Sequence, residues 1–295
     1  MRFIKMQGAG NDYVVLDALA EPMLAHRSDL IDLARGICDR HHGIGADGML
    51  LLAAPEELKG ASPESDLVMR IFNADGSDGV MCGNGARCAA KFAVDRGYVV
   101  PTEDGRLVVQ VGPRNLRTQV KTDRNGMVES ASINMGAVSY ELATIPADES
   151  RLEPALAETP FEYQINGHAV GLLSLENPHA VAFLEAGLDD VDLARHGQTT
   201  ERHPAFAHGI NLHIVHALSE SEVQARSWER GVGLTQACGT GACAIVAHGV
   251  RTGRLSRNVR VRMPGGILDV QLMENNDEIL LTGLAEEVFQ GDWPG

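Results

Sequence analysis

Met81-Cys82-Gly83-Asn84-Gly85-Ala86-Arg87-Cys88, running on into Ala89-Ala90-Lys91-Phe92-Ala93, is answered later in the chain by Ala237-Cys238-Gly239-Thr240-Gly241-Ala242-Cys243 and Ala244-Ile245-Val246-Ala247. Each is a cysteine, two glycines and an Ala-rich run, the pattern of a loop that turns into a helix. A thiol just ahead of a helix meets unsatisfied backbone N–H groups and the positive end of the helix dipole, both of which favour the thiolate. The glycines let the backbone approach a ligand closely. Two such loops in one chain predict a site with two faces.

Working outward, the chain matches itself in order. Cys82 and Cys238 lie 156 residues apart, His42-Gly43-Ile44 and His208-Gly209-Ile210 lie 166 apart, and so do Asn11–Val15 and Asn177–Val181. Gly105–Val111 parallels Gly266–Leu272 at 161. The segment 54–66, with two prolines and several charges, reads as a surface insertion that absorbs the drift. A repeat of this kind predicts two similar domains, with the cysteine loops related by a pseudo-twofold axis and facing one another.

Hydrophobic patterning fills in the elements. Short strands are expected at 2–6 and 13–17, and a helix at about Asp29–Arg40 with Ser28 as its N-cap and Leu30, Leu33, Ala34, Ile37 and Cys38 on one face. Met49–Leu52 and Leu67–Phe72 read as buried strands. Cys38, Cys88 and Cys243 read as packing residues. Ser219 and Glu222 have capping-box spacing, but Val223, Ala225 and Ser227 alternate with Gln224, Arg226 and Trp228, which predicts a strand over 223–229. Further strands are expected near 259–263, 267–273 and 285–290.

Composition narrows the function. At 295 residues the chain holds one large domain or two of ordinary size, and 44% apolar with 22% charged residues fits a soluble globular protein. A formal net charge of −15 argues against nucleic-acid or anionic-membrane partners. No apolar run approaches a membrane span, and the first residues lack the apolar core of a secretory signal. Five cysteines are an odd number and no disulfide framework, so reduced thiols in the cytoplasm are expected.

Paired cysteines serve several chemistries. The spacings within each loop lack the C-x-x-C clamp of a zinc site or a thioredoxin-like redox pair. A single cysteine nucleophile with a histidine base leaves the second loop unexplained. Inversion at a carbon acid uses both: a thiolate removes a proton from one face while a thiol delivers one to the other, and exchanging their protonation states runs the reaction backwards. Helix N–H groups would stabilise the charge that develops on a substrate carboxylate. No pyridoxal-phosphate motif is evident, so a cofactor-free mechanism is expected.

With these residues in view the sequence resembles the diaminopimelate epimerase family over nearly its whole length. The matching motifs are Phe3-x-Lys5-Met6-x-Gly8-x-Gly10-Asn11-Asp12, Phe72-Asn73-x-Asp75-Gly76-Ser77, the Met81–Cys88 loop, Asn177-Pro178-His179, Gly209-x-Asn211, Glu229-Arg230-Gly231-Val232-Gly233 and the Ala237–Gly241 loop. The resemblance implies an α/β (α+β) chain of two similar domains, 1–128 with 284–295 and 129–283, each with strands wrapped around a central helix and with the active site in the cleft between them. It implies Cys82 and Cys238 as the acid/base pair, and His179 and Glu229 as groups that tune them. It implies Asn11, Asn73, Asn177, Asn211 and Arg230, with Glu229 beside them, as contacts to the distal amino-acid end of diaminopimelate. Gly83, Asn84, Gly239 and Thr240 would hold the reacting end. A homodimer is common in the family.

The chain departs from the family pattern at three places. Gly48 stands where many members carry Gln, and Trp228 and Leu234 replace a more usual Tyr and Glu, which would reshape the wall behind Glu229. The nearest rivals are a proline or hydroxyproline racemase on the same scaffold, a phenazine-pathway-like isomerase, and a non-catalytic amino-acid-binding protein. Asn84 and the Leu234-Thr235-Gln236-Ala237 lead-in argue against the racemases, which tend to have His after the first Cys-Gly and Asp-Arg-Ser-Pro before the second cysteine.

Overall fold

The computed structural model describes residues 1–79, 82–155, 161–185, 187–274 and 277–294; Met81 of the first loop lies outside the described residues. The chain divides into two compact units, Met1–Asn134 with Thr282–Gly295, and Met135–Leu281.

The first unit opens with β1 (Arg2–Gly8) and β2 (Asn11–Asp17), an antiparallel pair with Met6 opposite Tyr13. Helix α1 (Leu30–Cys38) crosses over to β3 (Gly48–Ala53), which lies parallel to β2 with Tyr13 opposite Gly48. Every residue of β3 is buried, as its unbroken apolar run requires. β4 (Leu67–Asn73) returns antiparallel, and α2 (Gly83–Asp95) crosses to β5 (Arg106–Val111), parallel to β4. β6 (Arg114–Thr122) completes a hairpin with β5. The C-terminal strand Glu286–Asp292 pairs antiparallel with β1.

The second unit repeats this order. β7 (His168–Leu175) and β8 (Asn177–Phe183) are antiparallel. α3 (Leu193–Glu201) leads to β9 (Asn211–Ser219), parallel to β8 with His179 opposite Asn211. β10 (Glu222–Glu229) returns antiparallel, as the alternation over 223–229 predicts. α4 (Gly239–Arg251) crosses to β11 (Asn258–Met263), parallel to β10, and β12 (Gly266–Leu272) closes the hairpin.

α2 and α4 have the same length and each lies against several strands of its own unit. Residues 83–90, Phe92 and Ala93 of α2 are buried, as are residues 241–249 of α4. A helix enclosed on all sides needs small side chains so that strands can close around it, which explains the Ala-rich runs. Cys88 and Cys243 are fully buried in these helices, and Cys38 is buried in the core that packs α1 against β3.

Two local expectations change. The pairing assigns β5, parallel to β4, to β11, so Gly105–Val111 corresponds to the strand before Gly266–Leu272. Gly105, just ahead of β5, and Gly266, the first residue of β12, both take positive φ, 80° and 151°; similar turn chemistry at non-equivalent turns produced the sequence match. Helix α1 is capped by Asp29 rather than Ser28, without a side-chain cap bond, because the Asp29 carboxylate accepts two bonds from Arg27. It stops at Cys38 rather than Arg40, because Asp39 Oδ1 accepts from the His41 and His42 N–H groups and turns the chain.

Candidate active site

Cys82 is the N-cap of α2, with extended backbone at φ −151° and ψ 101°. Its Sγ accepts from the Gly85 N–H at 3.2 Å and lies 3.0 Å from the Tyr13 hydroxyl on β2. The N–H groups of Gly83 and Asn84 have no acceptor among the described residues, so the open donors of the helix terminus stand beside the thiol. Behind them runs a chain of amides. Buried Arg87 donates to Asn84 Oδ1 at 2.8 Å, Asn84 Nδ2 to Asn11 Oδ1 at 2.6 Å, and Asn11 Nδ2 to Asp47 at 3.3 Å. The next residue, Asp12, sits between Lys5 (2.7 Å) and Arg40 (2.8 Å). Burial by itself raises the Asp12 carboxyl, but bonds from Arg40 and Lys5 outweigh it and hold it at about 2. Asn73 stands exposed at the end of β4, where its amide donates to Ser77 Oγ at 2.9 Å.

In the second unit Cys238 is the N-cap of α4 and is only 4% exposed. It closes no cap hydrogen bond like that of Cys82. Burial pushes its thiol well above the ordinary range and neighbouring Glu229 pushes the same way, while the Thr240 hydroxyl, 3.6 Å from Sγ, and the Gly241 N–H oppose them. The Gly239 and Thr240 N–H groups have no acceptor among the described residues.

A buried relay backs this thiol. Asn177 Nδ2 donates to Thr240 Oγ1 at 3.2 Å, and Asn177 Oδ1 faces His179 Nε2 at 2.8 Å. His179 Nδ1 meets His213 Nε2 at 2.8 Å, and His213 Nδ1 meets Ser227 Oγ at 2.8 Å. An amide oxygen only accepts, so His179 carries its proton on Nε2 and presents a bare Nδ1. His213 Nε2–H donates to it, and Ser227 O–H donates to His213. This pattern agrees with neutral rings, which their burial favours. Burial lowers His213 to about 3, and burial with His213 and Arg230 nearby keeps His179 well below its usual range.

His179 thus reaches Cys238 through Asn177 and Thr240. Asn211 is 4% exposed; its Oδ1 accepts the Arg230 N–H at 2.8 Å, and its Nδ2 lies 3.5 Å from His179 Nδ1. Arg230 is exposed, with Nη1 on the His208 carbonyl at 3.1 Å and no ion pair among the described residues, so its guanidinium fork is open to a carboxylate. Glu229 ends β10 half-buried.

The departures have local reasons. A Cβ at Gly48 would stand 2.7 Å from the Phe72 carbonyl oxygen, so β3 has no room for a side chain there without a backbone shift. A Cβ at Gly197 of α3 would overlap the Trp228 indole, whose N–H donates to Glu201 at 2.7 Å. Glu201 in turn accepts the Gly231 N–H at 3.0 Å, tying the Glu229–Gly231 turn to α3. Leu234 is 53% exposed.

Tyr13, Arg87, His213 and Ser227 carry these contacts without being singled out by sequence. For the strand residues the signal was register: Tyr13 lies opposite Gly48 across β2 and β3, and His213 opposite Ser227 across β9 and β10. Among the described residues no three His, Cys, Asp or Glu side chains gather as metal ligands do.

Comparison with known proteins agrees with this architecture. The family model described as diaminopimelate epimerase matches residues 3–139 and 172–288. The diaminopimelate epimerase of Desulforudis audaxviator is 41% identical over 99% of both chains, and that of Methanothermobacter thermautotrophicus is 38% identical over 98% of this chain and 97% of its own. Among solved structures, a probable proline racemase from Agrobacterium radiobacter aligns with TM-score 0.64 at 15% identity over 99% of this chain and 92% of that one. A Bacillus anthracis phenazine biosynthesis protein aligns with TM-score 0.62 at 13% identity over 99% and 98%. These distant structures share the fold. By its sequence, over nearly its whole length, the chain belongs to the diaminopimelate epimerase family, whose members are isomerases.

Proposed function

We propose that this chain interconverts LL- and meso-diaminopimelate by moving a proton between the two sides of one α-carbon, with Cys82 and Cys238 as base and acid and no cofactor. The observation that supports it most is the matched pair of thiols, each the N-cap of a buried thirteen-residue helix with open N–H donors beside it. A thiolate takes the α-proton and becomes a thiol, and the other thiol returns a proton to the opposite side and becomes a thiolate. The N–H groups of Gly83, Asn84, Gly239 and Thr240 hold the α-carboxylate as charge develops on it. Arg230 grips the distal carboxylate in a bidentate pair, and amide oxygens among Asn11, Asn73, Asn177 and Asn211 take the distal ammonium. Burial, reinforced by Glu229, keeps Cys238 protonated in the resting protein, which leaves Cys82 as the first base.

The test is incubation with LL-diaminopimelate in D2O without added cofactor, following deuterium at the α-carbon. Inversion with one deuterium incorporated is expected, and Cys82→Ala and Cys238→Ala should each lower epimerisation by at least about a hundredfold. Full activity in either single variant would end the two-base mechanism. Exchange and inversion on L-proline but not on diaminopimelate would overturn the substrate. We propose further that the protein works in the cytoplasm as a homodimer, a reading supported by Val288 and Phe289, 56% and 48% exposed on the C-terminal strand. Light scattering that returns the 31.6 kDa of a single chain would reject the dimer.

A further inference from the structure

Tyr13 is a phenol inside the first unit, 4% exposed, the third residue of β2. Its ring packs near Gly48, where a Cβ would stand 3.7 Å from Tyr13 Cδ1, and its hydroxyl ends 3.0 Å from Cys82 Sγ. The Gly85 N–H reaches the same sulfur at 3.2 Å. A neutral backbone amide can only donate. When Cys82 is a thiolate the sulfur has no proton to give, so the phenol must donate as well.

We propose that Tyr13 is a further catalytic residue: its hydroxyl and the Gly85 N–H together solvate the Cys82 thiolate that takes the substrate proton. This rests on the reading of Cys82 as a proton carrier. The phenol is suited to it because burial, reinforced by the charge of and hydrogen bond to Cys82, raises its own ionisation well above the ordinary range. It therefore keeps its proton while the thiol loses one. The other ionisable groups near this phenol are Cys88 of α2, which burial pushes to about 12 and so keeps as a neutral thiol, and Asp47 ahead of β3, whose negative charge disfavours a phenolate. Once Cys82 has taken the substrate proton, the S–H no longer needs the phenol's bond. The donor thus favours the thiolate over the thiol, and helps the sulfur to release the proton on the return path.

The test reads the thiolate and not only turnover. The rate of alkylation of the intact protein by iodoacetamide is followed across the neutral and alkaline range, with the modified cysteine assigned by peptide mass. In Tyr13→Phe, which keeps the ring and removes the oxygen, the Cys82 midpoint should rise by about one pH unit while that of Cys238 stays in place. The rise of kcat/KM with pH, in the direction where Cys82 is the base, should shift by the same amount. Uniform replacement of tyrosine by 3-fluorotyrosine, a stronger donor, should move the Cys82 midpoint down; this carries the test should the phenylalanine variant fold poorly. An unmoved Cys82 midpoint in both proteins, or both thiols shifting together, overturns the proposal. Full epimerisation by Cys82→Ala would instead remove the proton-carrier role and leave the titration result standing, so the two failures are distinguishable.

Discussion

Cys238 and Cys82 occupy the same position in their helices yet differ in surroundings. Cys238 is buried with Glu229 as a neighbour, which the Gly241 N–H and the Thr240 hydroxyl only partly offset; Cys82 is partly exposed and takes the Gly85 N–H at 3.2 Å. Glu229 raises the Cys238 thiol because a nearby negative charge disfavours the thiolate. Glu229→Gln should therefore lower the Cys238 alkylation midpoint by about one pH unit, without moving that of Cys82. An unchanged midpoint would show that burial alone sets this thiol. The histidine relay works on the same side by position rather than by charge. Neutral His179 and His213 fix the orientation of Asn177, which leaves the Thr240 hydroxyl proton free to point at Cys238.

The helix N-terminus is the working element, and its glycines are there for contact as much as for approach to a ligand. A Cβ on Gly85 would press Leu50 Cδ2 at 3.3 Å and touch Cys82 Sγ at 3.4 Å. At the matching position of α4, a Cβ on Gly241 would overlap the His213 ring. Gly241→Ala should cost about 1–3 kcal/mol of stability by overpacking, although alanine is the better helix former. It should also lower kcat more than it raises KM, because it displaces the relay behind Thr240. Denaturant melts together with steady-state kinetics check both, and a stabilised, fully active variant would contradict the packing. Strand pairing likewise decides what the helices face, since β9 and β10 bring His213 opposite Ser227 in register.

For the whole molecule, the buried neutral histidines make stability depend on acid. His213 titrates at about 3 when folded and near its ordinary 6.5 when unfolded, so between these values the unfolded chain binds more protons. Its contribution is complete above 6.5 and is lost as the pH falls; by pH 5 the loss is about 2 kcal/mol. Urea melts at pH 7 and pH 5 should show a destabilisation at pH 5 that shrinks by about that amount in His213→Gln. Equal acid sensitivity in the variant would place the effect elsewhere. Much of this protein was legible in its residues alone. The two Cys-Gly-x-Gly loops, the Ala-rich runs and the alternation over 223–229 are local patterns, and the backbone follows them because N-caps, enclosed helices and half-buried strands each demand a particular spacing. What sequence could not supply was register across strands. The topological partner of β5 is β11 and not β12, which local pattern does not reveal because glycine turns resemble one another wherever they occur. Tyr13 beside Cys82, and His213 between His179 and Ser227, are residues brought together from distant parts of the chain by parallel and antiparallel pairing. Only the tertiary structure decides such contacts, because a hydrogen bond depends on ångström placement and a buried group's charge depends on everything packed around it.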